Sequence, residues 1–150
     1  MSARKGTENN ELAGALAVEI RAVYRALKLR VREHSGSRDL TPSQIAVLVR
    51  LEKEGATTVS SLARAEGMRP QSMREVVAPL QDAGFIRSAP DPNDGRQTLM
   101  SLTPKCVKWI QEGRAASHDW LTTSIAEKLS AKEQRALNDA FELLRRLVED

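Results

Sequence analysis

The sequence predicts a mostly α-helical fold (α+β) with one small β-sheet. Most apolar residues recur at the spacing of an amphipathic helix, as in Leu12, Leu16 and Ile20. Prolines, glycines and capping residues divide these stretches into separate helices. The region from Phe85 to Leu102 differs most, because strand-forming residues there flank a run dense in turn formers.

Composition limits the class of protein. The chain has 150 residues, of which 41% are hydrophobic and 29% charged, so it can bury one core. Charged residues interrupt every apolar stretch, and residues 1–7 lack the apolar core of a signal peptide, so we expect a cytoplasmic protein without a membrane partner. The net charge of +3 is too small to indicate a nucleic-acid partner by itself.

The first predicted helix is long and amphipathic. Its apolar stripe extends over residues 12–31, and it ends near His34, before Ser35–Ser37. We expect the polar residues up to Asn10 to be frayed. The stripe is wider than one small domain can cover, which predicts a partner for this helix.

A second helix is predicted from its caps. Thr41 is suited to the N-cap, Pro42 to the first helical position and Gln44 to the third, and Gly55 closes the helix. The short β-prone segment Thr57–Val59 is then expected to form a third strand with the later hairpin. The expected core residues of this helix are Ile45, Leu48, Val49 and Leu51.

A helix-turn-helix is predicted next. Ser60–Gly67 has a serine suited to the N-cap and a glycine to end a short helix, and Pro70 starts a second helix that extends to Gly84. Two helices joined by a few residues that include glycine are typical of this motif. Pro79 is expected to bend the second helix or tighten its turns. The apolar stripe of the second helix consists of Met73, Val76, Val77 and Leu80.

The strands Phe85–Ala89 and Gln97–Leu102 are predicted to form a hairpin beside this motif. They enclose Pro90–Arg96, a polar tip that ends on an arginine. With Thr57–Val59 the hairpin would make a three-stranded sheet. The region therefore has the pattern of a winged helix-turn-helix.

Two further helices complete the chain. Thr103 and Pro104 repeat the pattern of a cap followed by proline and start a helix toward Leu129. Ser130 and Glu133 form a predicted capping box for the last helix. Its wide apolar stripe consists of Leu137, Ala140, Phe141, Leu144, Leu147 and Val148.

The run Asp91–Arg96, followed by Leu102–Thr103, resembles the wing signature of the MarR (multiple antibiotic resistance regulator) family. The resemblance implies a winged helix-turn-helix lobe at residues 41–103 and a dimerisation region formed by residues 1–34 and 104–150. It implies a DNA-binding transcriptional regulator, a repressor that binds a pseudo-palindromic operator as a homodimer. It also implies release by a small aromatic or phenolic acid.

The second helix of the motif and the wing supply candidate DNA contacts. Arginine and glutamine can engage guanine and adenine edges bidentately, and serine can donate to phosphate or base. Arg96 at the hairpin tip could enter a narrow minor groove with Asp94 restraining it. The alternative interpretations are a solvated helix face and an ordinary surface ion pair. The candidate residues are Ser60, Arg69, Gln71, Ser72, Arg74, Asp94 and Arg96.

Other chemically capable residues indicate no catalytic or cofactor site. His34 and His118 are outside any cluster of metal-ligand spacing, so we expect neither metal nor cofactor. Cys106 is expected in the first turn of a helix, where the dipole could lower its pKa for redox sensing; a passive thiol is the preferred interpretation. Trp109 and Trp120 fit two interpretations equally well, a ligand-binding cleft between the dimer helices and the winged lobe, and core packing.

Two functions outside transcription are the alternatives to this interpretation. A winged helix that serves as a protein-interaction adaptor would keep the fold without using the arginine and glutamine face for DNA. An enzyme would need a catalytic group, and no nucleophile motif or isolated carboxylate pair is present in the sequence. We therefore expect a non-enzymatic protein whose partners are double-stranded DNA, a second copy of the chain and an aromatic acid effector.

Overall fold

The computed structural model describes residues 2–149, with side chains from residue 6 onward. Its contacts cluster into two units, Ser35–Arg114 and the unit formed by residues 1–34 and 115–150. None of the helices in the described part has the length and hydropathy of a membrane-crossing segment. The elements are α1 (Ser2–His34), α2 (Pro42–Glu54), α3 (Val59–Ala65), α4 (Pro70–Asp82), β1 (Ile86–Pro90), β2 (Thr98–Leu102), α5 (Pro104–Lys128) and α6 (Ala131–Arg145).

The start of α2 is fixed by the predicted capping box. The backbone N–H of Gln44 donates to Oγ1 of Thr41 at 3.2 Å, and the N–H of Thr41 donates to Oε1 of Gln44 at 2.9 Å. Pro42 occupies the first turn, where a missing N–H costs little. Gly55 ends the helix with a positive φ of 85°. The predicted bounds of α2 are therefore confirmed.

The start of α3 differs from the prediction. Thr58, rather than a serine, is the N-cap, because its Oγ1 accepts from the N–H of Ser61 at 3.1 Å. The helix then begins at Val59, which leaves only Thr57 free to pair. Thr57 forms an isolated antiparallel bridge with Met100, with N···O distances of 3.0 and 2.6 Å. The predicted three-stranded sheet is thus a two-stranded sheet plus one bridge.

The turn between α3 and α4 is closed by backbone hydrogen bonds. The N–H of Met68 donates to the carbonyl of Ala63 at 2.8 Å, and the N–H of Gly67 donates to that of Arg64 at 3.3 Å. This Schellman geometry requires a left-handed residue, which Gly67 supplies with a φ of 64°. The turn of the helix-turn-helix therefore consists of the four residues 66–69.

Helix α4 remains α-helical through Pro79 as far as Asp82. A second Schellman turn follows, in which the N–H of Phe85 donates to the carbonyl of Leu80 at 2.8 Å. Because this bond uses the N–H of Phe85, β1 begins one residue later than predicted, at Ile86. The two strands pair antiparallel from Ile86 opposite Leu102 to Pro90 opposite Thr98.

The core of the Ser35–Arg114 unit lies between α2, α3, α4 and the hairpin. Val49, predicted as a core residue, is 53% exposed, whereas Val47 is fully buried. The two valines lie two positions apart and so face different sides of α2, and the packing direction of the helix selects Val47. The buried residues are Val47, Leu48, Leu51, Leu62, Ala63, Met73, Val77, Leu80, Ile86, Met100 and Cys106.

The unit formed by residues 1–34 and 115–150 differs from the Ser35–Arg114 unit in the burial of its side chains. Helix α1 starts at Ser2, and the polar residues before Asn10 are compatible with helix. The predicted capping box of Ser130 and Glu133 is confirmed at the start of α6. Of the described side chains of α1 and α6, none is buried within the chain. Their apolar stripes are therefore uncovered in a single copy.

Gly113 marks a close approach inside the Ser35–Arg114 unit. It is a buried residue of α5, and a Cβ built on it would overlap the carbonyl oxygen of Ser35. Because the obstacle is backbone, neither segment can yield without shifting. Gly14, in the interior of α1, has no neighbour within 4 Å of such a Cβ.

We predict opposite effects of alanine at these two helical glycines. Gly113→Ala should lower the free energy of unfolding by about 1–3 kcal/mol through overpacking. Gly14→Ala should raise it by about 0.5–1 kcal/mol, because alanine loses less backbone entropy in a helix. Urea denaturation of both variants and the wild type measures the difference. Equal stabilisation by both substitutions would contradict the close packing at Gly113.

Candidate nucleic-acid interface

A concave surface lies between the start of α3, the outer face of α4 and the wing. We call it the wing groove; its volume is about 630 Å³. Three of the predicted DNA-binding residues, one from each of these elements, line it together: Ser60, Arg74 and Arg96. Its other lining residues are Thr58, Val59, Val77, Ala78, Gln81, Gln97, Thr98 and Met100.

The polar face of α4 faces solvent because the apolar face of the helix packs in the core. Met73, Val77 and Leu80 are buried in the core, so the positions between them face solvent. Among the candidate residues of this helix, Gln71 and Arg74 are exposed. The guanidinium Nη1 of Arg74 lies 3.5 Å from Oε1 of Gln71, a long and weak contact that leaves both side chains available.

Arg69 and Ser72 lie near the same helix start but do not line the wing groove. Arg69 is the exposed N-cap of α4, and its side chain makes no capping hydrogen bond. Ser72 is half-buried. Since α4 starts here, its first backbone N–H groups and the positive end of its dipole point outward at this end.

The wing tip is held by two aspartates through the backbone. Oδ1 of Asp91 accepts from the N–H of Asn93 at 2.8 Å, and Oδ1 of Asp94 accepts from the N–H of Arg96 at 3.1 Å. Asp94 therefore restrains Arg96 through its main chain. Among the described side chains of residues 6–149, none forms an ion pair with the Arg96 guanidinium.

Four polar residues of the wing groove were missed from the sequence: Thr58, Gln81, Gln97 and Thr98. For Gln81 a signal existed, because residues 74, 78 and 81 recur at steps of four and three and therefore share one helix face. For the threonines and Gln97 no local signal existed, since their position depends on how the wing packs beside α4.

The environment of Cys106 opposes redox sensing. Cys106 is fully buried, although it lies in the first turn of α5 as predicted. Its N–H donates to Oγ1 of Thr103, which caps the helix. Burial, and secondarily the negative charge of Glu52, raise the pKa of the Cys106 thiol to about 11. Desolvation therefore disfavours the thiolate that oxidation needs.

The two tryptophans have different surroundings. Trp109 packs against Phe85 with ring centroids 4.9 Å apart, and it lines a cavity of about 160 Å³ within the Ser35–Arg114 unit. Trp120 stacks on His34 at 4.4 Å in the other unit. His118 is exposed. Of the two interpretations considered for the tryptophans, Trp109 therefore fits both, because it packs and also lines a cavity.

Comparison with known proteins accords with this geometry. The model of the MarR family matches residues 40–98, which extend from just before α2 to the start of β2. An HTH-type transcriptional regulator of Mycobacterium tuberculosis, MT0903.1, is 35% identical over 93% of this chain and 94% of its own length. The chain belongs to the MarR family. It is thus a DNA-binding transcriptional regulator with a winged helix-turn-helix.

Solved structures agree with this MarR-family fold. Transcriptional regulator Tm0710 from Thermotoga maritima has a TM-score of 0.73 at 19% identity, covering 91% of this chain and 99% of its own. A mutant of S. aureus MepR bound to oligodeoxyribonucleotide has a TM-score of 0.70 at 16% identity, covering 89% and 98%. At these identities the likeness concerns the fold alone.

The raised pKa of Cys106 predicts a pH dependence of stability. A thiol whose folded-state pKa lies above the ordinary value of 9.0 contributes stability that is fully present below pH 9 and is lost as pH rises toward 11. Cys106→Ala removes this titration. We expect the wild type to lose more unfolding free energy than this variant between pH 8 and pH 10.5 in urea denaturation. If the unfolding free energies of the wild type and the variant had the same pH dependence, the raised pKa of Cys106 would be contradicted.

Proposed function

We propose that the protein is a cytoplasmic repressor that binds a pseudo-palindromic operator as a homodimer. The observation that carries this proposal is the wing groove, in which Ser60, Arg74 and Arg96 converge from three separate elements. A dimer that covers an operator excludes other proteins from the same DNA. Repression is therefore the direct consequence of binding.

In this proposal α4 is the recognition helix and enters the major groove. Gln71 and Arg74 read base edges, because both are exposed on the outer face of α4 and both can make bidentate contacts. Arg69, Ser72 and Ser60 contact phosphates beside the start of α3 or α4, where backbone N–H groups favour anions.

Arg96 has a separate role at the wing tip. Its backbone is fixed by Asp94 and its side chain is exposed, so the guanidinium can extend into the minor groove or onto phosphate. Asp94 itself acts by holding this backbone, because a carboxylate facing phosphate would be repelled. The wing thus contributes affinity and orientation more than sequence preference.

The homodimer is supported by the uncovered apolar stripes of the terminal helices. In α1, Leu12 and Leu16 are 61% and 52% exposed, and in α6, Leu137 and Phe141 are 37% and 45% exposed. Side chains of this size are seldom left solvated in such numbers, which indicates burial against another surface. Since a two-fold dimer presents two recognition helices, the operator should have two half-sites about one helical turn apart.

The cavity beside Trp109 is our proposed effector site. Its walls are largely apolar, and the ion pair of Arg114 with Glu52 lies at its edge. A cavity of about 160 Å³ suits one aromatic ring, since an apolar protein cavity of about 150 Å³ binds benzene. The carboxylate of an aromatic acid would compete with Glu52 for Arg114. Such a ligand releases DNA only by binding the DNA-incompetent conformation more tightly.

Recognition helix and wing should respond differently to alanine substitution. Gln71→Ala or Arg74→Ala should weaken operator binding by about 1–3 kcal/mol and relax preference at one position in each half-site. Arg96→Ala should weaken operator and scrambled DNA alike and reduce the salt slope by about one. Gel-shift titrations across a salt series, with DNA from upstream of the protein's own gene, measure both effects.

Arg135→Ala is the charge-matched control for the two arginine variants, because it also removes one positive charge but lies in α6, outside the Ser35–Arg114 unit. It should leave sequence preference unchanged. Unchanged preference in both the Gln71 and Arg74 variants would show that α4 is not the base-reading element.

The homodimer is tested on two leucines of α1. Leu16 and Leu29 are 52% and 57% exposed, but on a helix with about 3.6 residues per turn they face opposite sides. Leu16 belongs to the apolar stripe, so Leu16→Glu should bury an unpaired charge in the dimer and disperse it or unfold it. Leu29→Glu should leave the dimer intact. Sedimentation equilibrium at micromolar concentration distinguishes them, and a wild-type monomer would contradict the proposal.

The effector site is tested by filling the cavity. Val49 lines it and is largely exposed, so Val49→Trp should block an aromatic ring without disturbing the core. We expect benzoate or a hydroxybenzoate to change the tryptophan fluorescence of the wild type and release its operator. The variant should bind DNA and ignore the acid. If wild-type protein neither binds such acids nor releases DNA, regulation by this route is excluded.

A further inference from the structure

The path of the recognition helix depends on the turn that precedes it. Only four residues, 66–69, separate α3 from α4, and Gly67 within them adopts a left-handed conformation. Glu66 is the C-cap of α3, so its position sets where this turn begins. A small rotation at the turn is carried along the whole of α4. Whatever holds Glu66 therefore influences how α4 meets DNA.

Glu66 is held by an arginine from another helix. Nε and Nη2 of Arg50 donate to Oε1 of Glu66 at 3.1 and 3.0 Å. Nη1 of the same guanidinium donates to Oε1 of Glu54 at 2.9 Å. One side of the Arg50 guanidinium thus binds Glu54 within α2. The other side binds Glu66 of the helix-turn-helix, which lies 16 residues away in the sequence.

Arg50 stands on a rigid support. Its helix, α2, is anchored in the core by Val47, Leu48 and Leu51, which lie one turn or less from Arg50. The ion pair is also partly shielded from water, because the side chains of Arg50 and Glu66 are 29% and 26% exposed. By contrast, Glu54 is 54% exposed. The ion pair of Arg50 and Glu66 thus connects the well-packed helix α2 to the turn before α4.

We propose that Arg50 and Glu66 form a positioning pair that sets the orientation of the recognition helix and thereby the selectivity for operator DNA. The inference rests on the proposed function, in which α4 reads bases. The pair touches no DNA in this scheme and acts through the turn. A guanidinium suits this task better than an ammonium, because its planar fork fixes direction as well as distance.

The orientation matters because base contacts tolerate little displacement. A bidentate contact from Gln71 or Arg74 needs two aligned hydrogen bonds, whereas a phosphate contact accepts a wide range of approach. Loosening the turn should therefore reduce binding to operator more than binding to unrelated DNA. A merely stabilising ion pair would lower the folded fraction and leave the ratio of the two affinities unchanged.

The two partners of Arg50 provide a matched experiment. Glu66→Ala and Glu54→Ala each remove one carboxylate from the same guanidinium and change the net charge equally. Affinity for the upstream operator and for a scrambled duplex of equal length is measured for both variants, together with thermal unfolding. Arg50→Met, which keeps a long apolar stem but removes the fork, is the third variant.

We expect Glu66→Ala and Arg50→Met to lower the operator-to-scrambled affinity ratio by about tenfold, the value of one weakened bidentate base contact. Glu54→Ala should keep the wild-type ratio. Equal ratios for the two glutamate variants, or a loss of thermal stability without a change in ratio, would overturn the proposal. If the wild type itself shows no preference for operator, the proposed function fails instead, so the two failures are distinguishable.

Discussion

The Ser35–Arg114 unit depends on the burial of one face of α4. Met73, Val77 and Leu80 are each at most 2% exposed, and together they pin this helix against α2, α3 and the hairpin. Burying three such side chains contributes on the order of 1.5–3 kcal/mol for each, far more than any surface ion pair. Because this side of α4 is buried, Gln71 and Arg74, which lie on the other side, face solvent. The outward orientation of the polar face of α4 is thus a consequence of core packing.

The hairpin is joined to the same core by a small polar junction. The hydroxyl of Thr103 donates to the carbonyl of Gly84 and accepts from the N–H of Cys106, which connects the end of β2, the turn after α4 and the start of α5. Nζ of Lys105 adds a bond to the carbonyl of Ala83 at 2.8 Å. The base of the wing is therefore hydrogen-bonded to the turn that follows α4.

Much of this fold was predictable because its signals are local. The caps at Thr41 and Ser130 and the stripe of α4 involve residues within one or two turns of each other. The misses have a common cause, which is competition between equally good local choices. Thr58 and the following serines can all cap a helix, and Val47 and Val49 can both face a core; only tertiary packing decides.

The candidate site was predictable to a smaller extent. Arg74 and Arg96 follow from the motif, but their convergence with Ser60, Gln81 and Thr98 depends on the angle between wing and helix. The ion pair of Arg50 and Glu66 could not be predicted from the sequence, because residues 16 positions apart on different helices meet only in the folded chain.

The central claim is that a symmetric dimer reads DNA with α4. Selection of bound duplexes from a random pool by the wild-type protein tests it most directly. The account predicts enrichment of an inverted repeat whose half-sites are centred about 10 base pairs or a multiple apart. Recovery of duplexes with no shared sequence, or with a single unrepeated half-site, would contradict it.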